Sequence, residues 1–351
     1  MNDFVSVMTD YIYDERHPTQ YDQVILTSLV KWAMGGIFEW NDPVSRKLAE
    51  LLGEELDKPE ADVSIRASFA AALRNRPTES IEKLLERADT TTEYGFRYGI
   101  NRLFFLVNRQ VRGEILENFL RRQFSREDTS HIFVSFNYDL ILDYAVQELS
   151  AGEWDVSNGY GIPINYYTHS VRSPIKAMSL PNVQASTRFR ILKPHGSLNW
   201  LAPHEFDNNK NSWVLREDPL IVPLTESQHL RYWGSIETFV HAAFPGGDRP
   251  RIHDVMPYIV PPTPTKPIFA NIWQQEREAV REANEIYVIG WSIPKTDEDQ
   301  ICLIRQAAGE RTKAFDSITV INKAAKPEYF RRVASTFRVG ESDLQIFNAG
   351  F

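Results

Sequence analysis

The chain has 351 residues, 42% hydrophobic and 25% charged, which suits a folded protein of about two domains and excludes intrinsic disorder as a description of the whole. Its 47 acidic side chains outnumber 39 basic ones, a net charge of −8, which excludes a general nucleic-acid binder with a basic face. The single cysteine, Cys302, excludes an internal disulfide and a thiolate-rich zinc site.

The opening MNDFVSVMTDYIYDERH lacks the basic start and apolar middle of a signal peptide. No apolar run approaches the ~20 residues that span a bilayer. A cytoplasmic protein with no membrane partner is expected. Residues 1–127 read as helical: ILTSLVKWAMGGIF, VSRKLAELLGEEL, SIEKLLERAD and GEILENFLRRQF all space apolar residues at helical intervals. Breaks fall at His17-Pro18, Asn41-Asp42-Pro43 and Arg76-Pro77-Thr78. Thr78 or Ser80 offers a helix N-cap, followed by acids that suit the helix dipole. Most of this region reads as packing and surface.

The texture changes at residue 131. HIFVSFNYD is a β-rich run ending in a polar cluster, and LILDYAVQEL follows with helical spacing, which together open a βαβ element. Residues 151–256 read as an irregular insertion of short strands and long loops. Within it RFRILKPHGSLNWL is a β-like run closing on a polar tip, and WVLREDPLIVPL is a further strand candidate. From MPYIVPP onward strands and helices alternate. IFANIWQQEREAVREA is a helix, NEIYVIGWS a buried strand and DEDQICLIRQAAGE a helix. FDSITVINK is a strand, PEYFRRVAST a helix and DLQIFNAG a last strand. This alternation predicts an α/β fold: a doubly wound, mostly parallel, Rossmann-like sheet. The expected division is a helical region over residues 1–127, inserted over roughly 15–125, and an α/β domain over 128–351.

Eight histidines are scattered without metal-ligand spacing, so no metal is expected. The P-loop, G-x-S-x-G and G-x-G-x-x-G patterns are all absent. Ligands of such sheets bind at the carboxyl ends of strands. Three strand ends carry polar clusters there: Asn137-Tyr138-Asp139, Gly290-Trp291-Ser292 and Asn322-Lys323. A fourth, Lys193-Pro194-His195-Gly196-Ser197, follows the β-like run before it, and His195 is a candidate general acid or base because an unperturbed imidazole changes charge near neutrality. Taken singly, Asn137 and Asp139 read first as caps of the next helix, and His195 as the partner of a buried backbone group. Together they predict side chains facing one cleft.

These segments resemble a known family. SFNYDLILDYA is similar to the T-x-N-Y-D segment of bacterial sirtuin-like NAD-hydrolase domains, and KPHGSLNW to their K-x-H-G-S-x-N-W segment. The stretch from IVPPTPTKP to YVIGWSIPKTDED resembles the same family's later half, and the likeness covers about 131 to 323. It implies a sirtuin-like fold and hydrolysis of NAD to ADP-ribose and nicotinamide, in antiphage defence. By that resemblance Asn137, Asp139 and His195 are catalytic. Gly290, Trp291 and Ser292 form the turn near phosphates and ribose, and Asn322 meets the adenosine ribose. The implied partners are NAD or ADP-ribose, further copies of the chain, and a ring-forming ATPase or an Argonaute-type protein. A zinc-containing deacylase would need four cysteines and is excluded.

One family feature is absent: the opening strand with its G-A-G-x-S phosphate loop. Met1-Asn2-Asp3-Phe4 resembles a position just beyond that loop. The expectation is that the upstream codons encode a β-rich run with G-x-G-x-S. Gly35 and Gly36 lie between helical segments and do not replace it. The competing expectation is a noncatalytic module that binds a nucleotide or assembles a complex, with poor NAD affinity and an open or otherwise filled sheet edge beside the Asn137 strand.

Overall fold

The computed structural model describes residues 114–156, 159–162, 165–170, 173–178, 188–207, 212–215, 219–221, 252–259, 267–293, 297–322 and 326–347. The helices expected before residue 114, the proposed caps Thr78 and Ser80, the glycines at 35 and 36, and Lys323 lie outside them. Two compact units divide the described elements, one including Trp200–Pro219 and Leu230–Pro261, the other Val111–Asn199, Leu220–His229 and Pro262–Phe351. The fold is mixed helix and strand with small parallel sheets, compatible with the α/β class.

The second unit opens on helix α1, Glu114–Phe124, with acids in its first turn and Arg121 and Arg122 in its last, the arrangement a helix dipole favours. Its end is closed from a distance. The Arg188 guanidinium donates to the carbonyls of Phe124 at 2.6 Å, Arg126 at 2.7 Å and Thr129 at 3.2 Å. Strand β1, His131–Val134, then pairs in parallel with Phe189–Leu192, residue for residue. Helix α2, Ile141–Leu149, follows and buries Asp143, Ala145 and Val146. Strands β2 (Asn165–Ser170) and β3 (Ser173–Met178) form an antiparallel pair, and Leu220–Ile221 joins β2 in parallel.

The expected single run RFRILKPHGSLNWL is two strands. β4 is Phe189–Leu192, the chain turns through Lys193 and His195, and β5 runs from Gly196 to Asp207. Gly196 has φ +86°, a conformation in which a side chain would be strained, so glycine permits this turn. In the first unit β5 pairs antiparallel with β6, Ser212–Leu215; β8, Ile252–Ile259, also pairs with β5. The segment WVLREDPLIVPL thus supplies two short strands, β6 and β7 (Leu220–Ile221). MPYIVPP is the end of a longer strand that begins at Ile252.

The later half of the second unit follows the expected alternation: α3 (Pro267–Glu282), β9 (Glu285–Ile289), α4 (Glu298–Gly309), β10 (Ser317–Ile321), α5 (Pro327–Phe337) and β11 (Leu344–Phe347). The three strands are parallel with β10 central. Val288, Ile304, Ile318, Val320, Val333 and Phe337 meet in its core. The expectation that NEIYVIGWS is buried is corrected: only Val288 of β9 is buried, and Tyr287 is exposed. The three middle residues of β10 are buried because a strand flanks it on each side; among the described residues β9 and β11 each have β10 as a neighbour on one side only. Among the described residues no helix is long and apolar enough to cross a membrane.

Candidate functional site

The strand ends of the second unit bring several of the expected residues together. Beyond β1 the backbone stays tied to β4, Ser135 N–H donating to the Leu192 carbonyl at 2.8 Å. The next residue, Phe136, touches both later motifs. Its ring meets the His195 imidazole edge-on at 5.8 Å between centroids and stacks on the Trp291 indole at 4.7 Å and 21°. The ends of β1, β4 and β9 therefore meet through one aromatic side chain. Tyr138 contributes a second edge to His195 at 6.3 Å.

Asn137 and Asp139 do not share one environment. Asn137 is exposed, while Asp139 is half-buried and its Oδ1 accepts the Ile141 N–H at 3.0 Å. That bond spans two residues and satisfies the first amide of α2 from the position before its N-cap, Leu140, so Asp139 supports the start of the helix through an Asx turn. Tyr138 is buried beside Asn137, and the Tyr138 carbonyl accepts the Leu198 N–H at 3.1 Å. His195 is 5% exposed in the turn between β4 and β5.

The turn after β9 is held from α5. Gly290 has φ +65° and stands exposed, its N–H donating to the Ile321 carbonyl at 3.1 Å. Trp291 Nε1 donates to Asp297 Oδ2 at 3.0 Å. The Tyr329 hydroxyl donates to the Trp291 carbonyl at 2.8 Å, and the Arg332 guanidinium to the Ile293 carbonyl at 2.8 Å. Ile293 is a buried β-branched residue at φ +50°, a strained conformation that the surrounding bonds must hold. Ser292 is exposed beside it. Asn322, at the end of β10, hydrogen-bonds with its side chain to Tyr329, so one phenol joins the ends of β9 and β10. Burial raises the Tyr329 pKa above its ordinary value, which keeps it protonated as a donor.

Beneath the His195 turn lies a buried polar cluster that joins Lys193 and Ser197 of the expected motif to Asp143 and Tyr160, which the sequence did not single out. Lys193 and Asp143 are both fully buried with Nζ 2.8 Å from Oδ2. The Tyr160 hydroxyl donates to the other Asp143 oxygen, and burial pushes this phenol well above its usual pKa, so it stays protonated. The readable signal is the alternation of Lys193, Ser197 and Asn199 within an apolar run; Asp143 and Tyr160 carry none, because their partners are distant in the chain. Among the described residues no three of His, Cys, Asp and Glu gather to hold a metal ion. No protein-family model matches the chain, and no curated protein is significantly similar to it.

Proposed function

We propose that the chain is a sirtuin-like NAD hydrolase that cleaves NAD to ADP-ribose and nicotinamide, as an effector that depletes NAD in defence against phage. In this reading the two small parallel sheets belong to one doubly wound, Rossmann-type sheet, with a helical insertion within residues 1–127. The observation that carries the reading is Phe136, packed against both His195 and Trp291. It supports treating three motifs, far apart in sequence, as one site at the carboxyl ends of strands.

The reaction breaks the bond between ribose C1′ and the nicotinamide nitrogen. The bonding pair leaves with nicotinamide, C1′ acquires oxocarbenium character, and water adds there. The exposed Asn137 amide orients that water and the ribose. His195 takes the proton that water gives up, work that contributes roughly 10²–10⁴-fold. Asp139 acts through the fold, holding the start of α2. Gly290, Trp291 and Ser292 receive ribose and phosphate, and Asn322 the adenosine ribose. The products are ADP-ribose, nicotinamide and a proton, and no metal or redox partner is consumed.

Nicotinamide release by the purified full chain, followed by chromatography, tests the reading. Turnover that disappears in both Asn137→Ala and His195→Ala supports it, and turnover that survives both overturns the assigned roles. Tight ADP-ribose binding without turnover in the parent protein replaces hydrolysis with nucleotide sensing.

A further inference from the structure

The buried polar cluster joins the two segments that carry Asn137 and His195. Lys193 lies two residues before His195, and its Nζ contacts Asp143 Oδ2 at 2.8 Å with both side chains out of solvent. The same Nζ donates to the backbone carbonyl of Asp139, two residues beyond Asn137. On the far side Asp143 accepts the Tyr160 hydroxyl. Asn199 Oδ1 lies 3.2 Å from that hydroxyl and accepts the Ser197 hydroxyl at 2.7 Å. The chain leaving the His195 turn is thus tied into the cluster at Ser197 and Asn199, and the chain entering it at Lys193.

A fold has little thermodynamic need for such a pair. Removing two charges from water costs about what their attraction returns, and a well-packed apolar pair often holds the same elements as well or better. Direction is what an apolar pair lacks. An ammonium in a low-dielectric interior accepts few geometries, and here it grips a carbonyl of the Asn137 segment. We infer that Lys193, Asp143 and Tyr160 are positioning residues that set the Asn137 segment against the His195 turn, for whatever ligand those two residues meet. The consequence for NAD turnover rests on the hydrolase reading; the consequence for backbone order does not.

The test pairs Lys193→Met with Asp143→Leu, so that neither charge is left buried alone, and adds Tyr160→Phe, which removes one hydroxyl. Thermal unfolding, hydrogen exchange of peptides covering 135–140 and 193–199, and the kcat and KM for NAD are measured on the full chain. The expected result is a double variant as thermally stable as the parent. Its exchange in both peptides should be at least about tenfold faster and its kcat at least about tenfold lower, with KM little changed, since small misplacements of reacting groups carry losses of that order. Tyr160→Phe should move both readouts in the same direction by less. Parental exchange rates at 135–140 in a folded double variant overturn the inference; if that variant does not fold, parental rates in Tyr160→Phe do so. A parent that does not turn over NAD removes the hydrolase reading, while the exchange data still decide the positioning role.

Discussion

Glu276 offers a quantitative test of how burial shapes this protein. It sits on α3 with no solvent exposure, facing α4. With the Gln300 amide oriented as its neighbours require, its nitrogen lies 2.8 and 3.1 Å from the two Glu276 oxygens and its oxygen 3.1 Å from Trp273 Nε1. Burial pushes the Glu276 carboxyl from 4.5 up to about 8. Between those values the folded chain keeps a proton that the unfolded chain has lost. Stability is therefore fully present below pH 4.5 and falls as pH rises to about 8. The slope is about 1.4 kcal/mol per pH unit. Across the window the loss is about 5 kcal/mol, a large share of the 5–15 kcal/mol typical of a domain.

Glu276→Gln keeps the shape and an amide acceptor for Gln300 but cannot titrate. Its stability advantage over the parent should widen by about 1.4 kcal/mol per unit from roughly pH 5 to pH 8. Urea unfolding, read from exchange-protected amides of α3 and α4, measures this, and every other titrating group cancels in the difference. Parallel pH profiles for parent and variant would refute the argument, because the carboxyl would then ionise equally well in both states.

Two further outcomes follow from the packing. Tyr329→Phe removes the hydroxyl that meets the Trp291 carbonyl and Asn322. On the proposed hydrolase reading it should weaken ADP-ribose binding roughly three- to tenfold by calorimetry, the scale of one hydrogen bond, with little change in thermal midpoint; unchanged affinity would dismiss the Tyr329 hydroxyl as a support of the ligand-binding turn. Gly159→Ala places a methyl inside the buried Trp154 indole, so it should cost about 1–3 kcal/mol or more in urea unfolding. A neutral result there would mean that Trp154 moves at no cost.

Much of the second unit was legible from local pattern. The period-3.6 spacing in IFANIWQQEREAVREA and PEYFRRVAST places α3 and α5 within one or two residues, and the short apolar runs between and after them are β9, β10 and β11. The turn at Lys193–Gly196 was not, because the apolar run continues on both sides and only the positive φ of Gly196 separates the strands. Of the candidate site, Phe136, His195 and Trp291 converge, while Asp139 serves α2. Glu276 left a trace: it shares a helical stripe with the buried Phe269, Ile272 and Val280. A glutamate in that register looks like an interruption of the core until a partner such as Gln300 is known.

By itself, then, the sequence determined the order and kind of the elements from residue 267 onward, the parallel pairing of β9, β10 and β11, and which strand ends carry polar residues; the antiparallel pairs β2–β3 and β5–β6 were not legible in it. What was legible depends on neighbours within a few positions, where periodicity and backbone sterics act. Tertiary structure alone decided the environment of each polar side chain: that Lys193 and Asp143 neutralise one another out of water, that Asn137 is exposed while Asp139 closes a helix, and that Tyr329 spans two strand ends. A lysine or aspartate is charged and solvated by default. Only a partner brought from 50 residues away in the chain, as Asp143 is to Lys193, makes its burial tolerable, and no local pattern records that meeting.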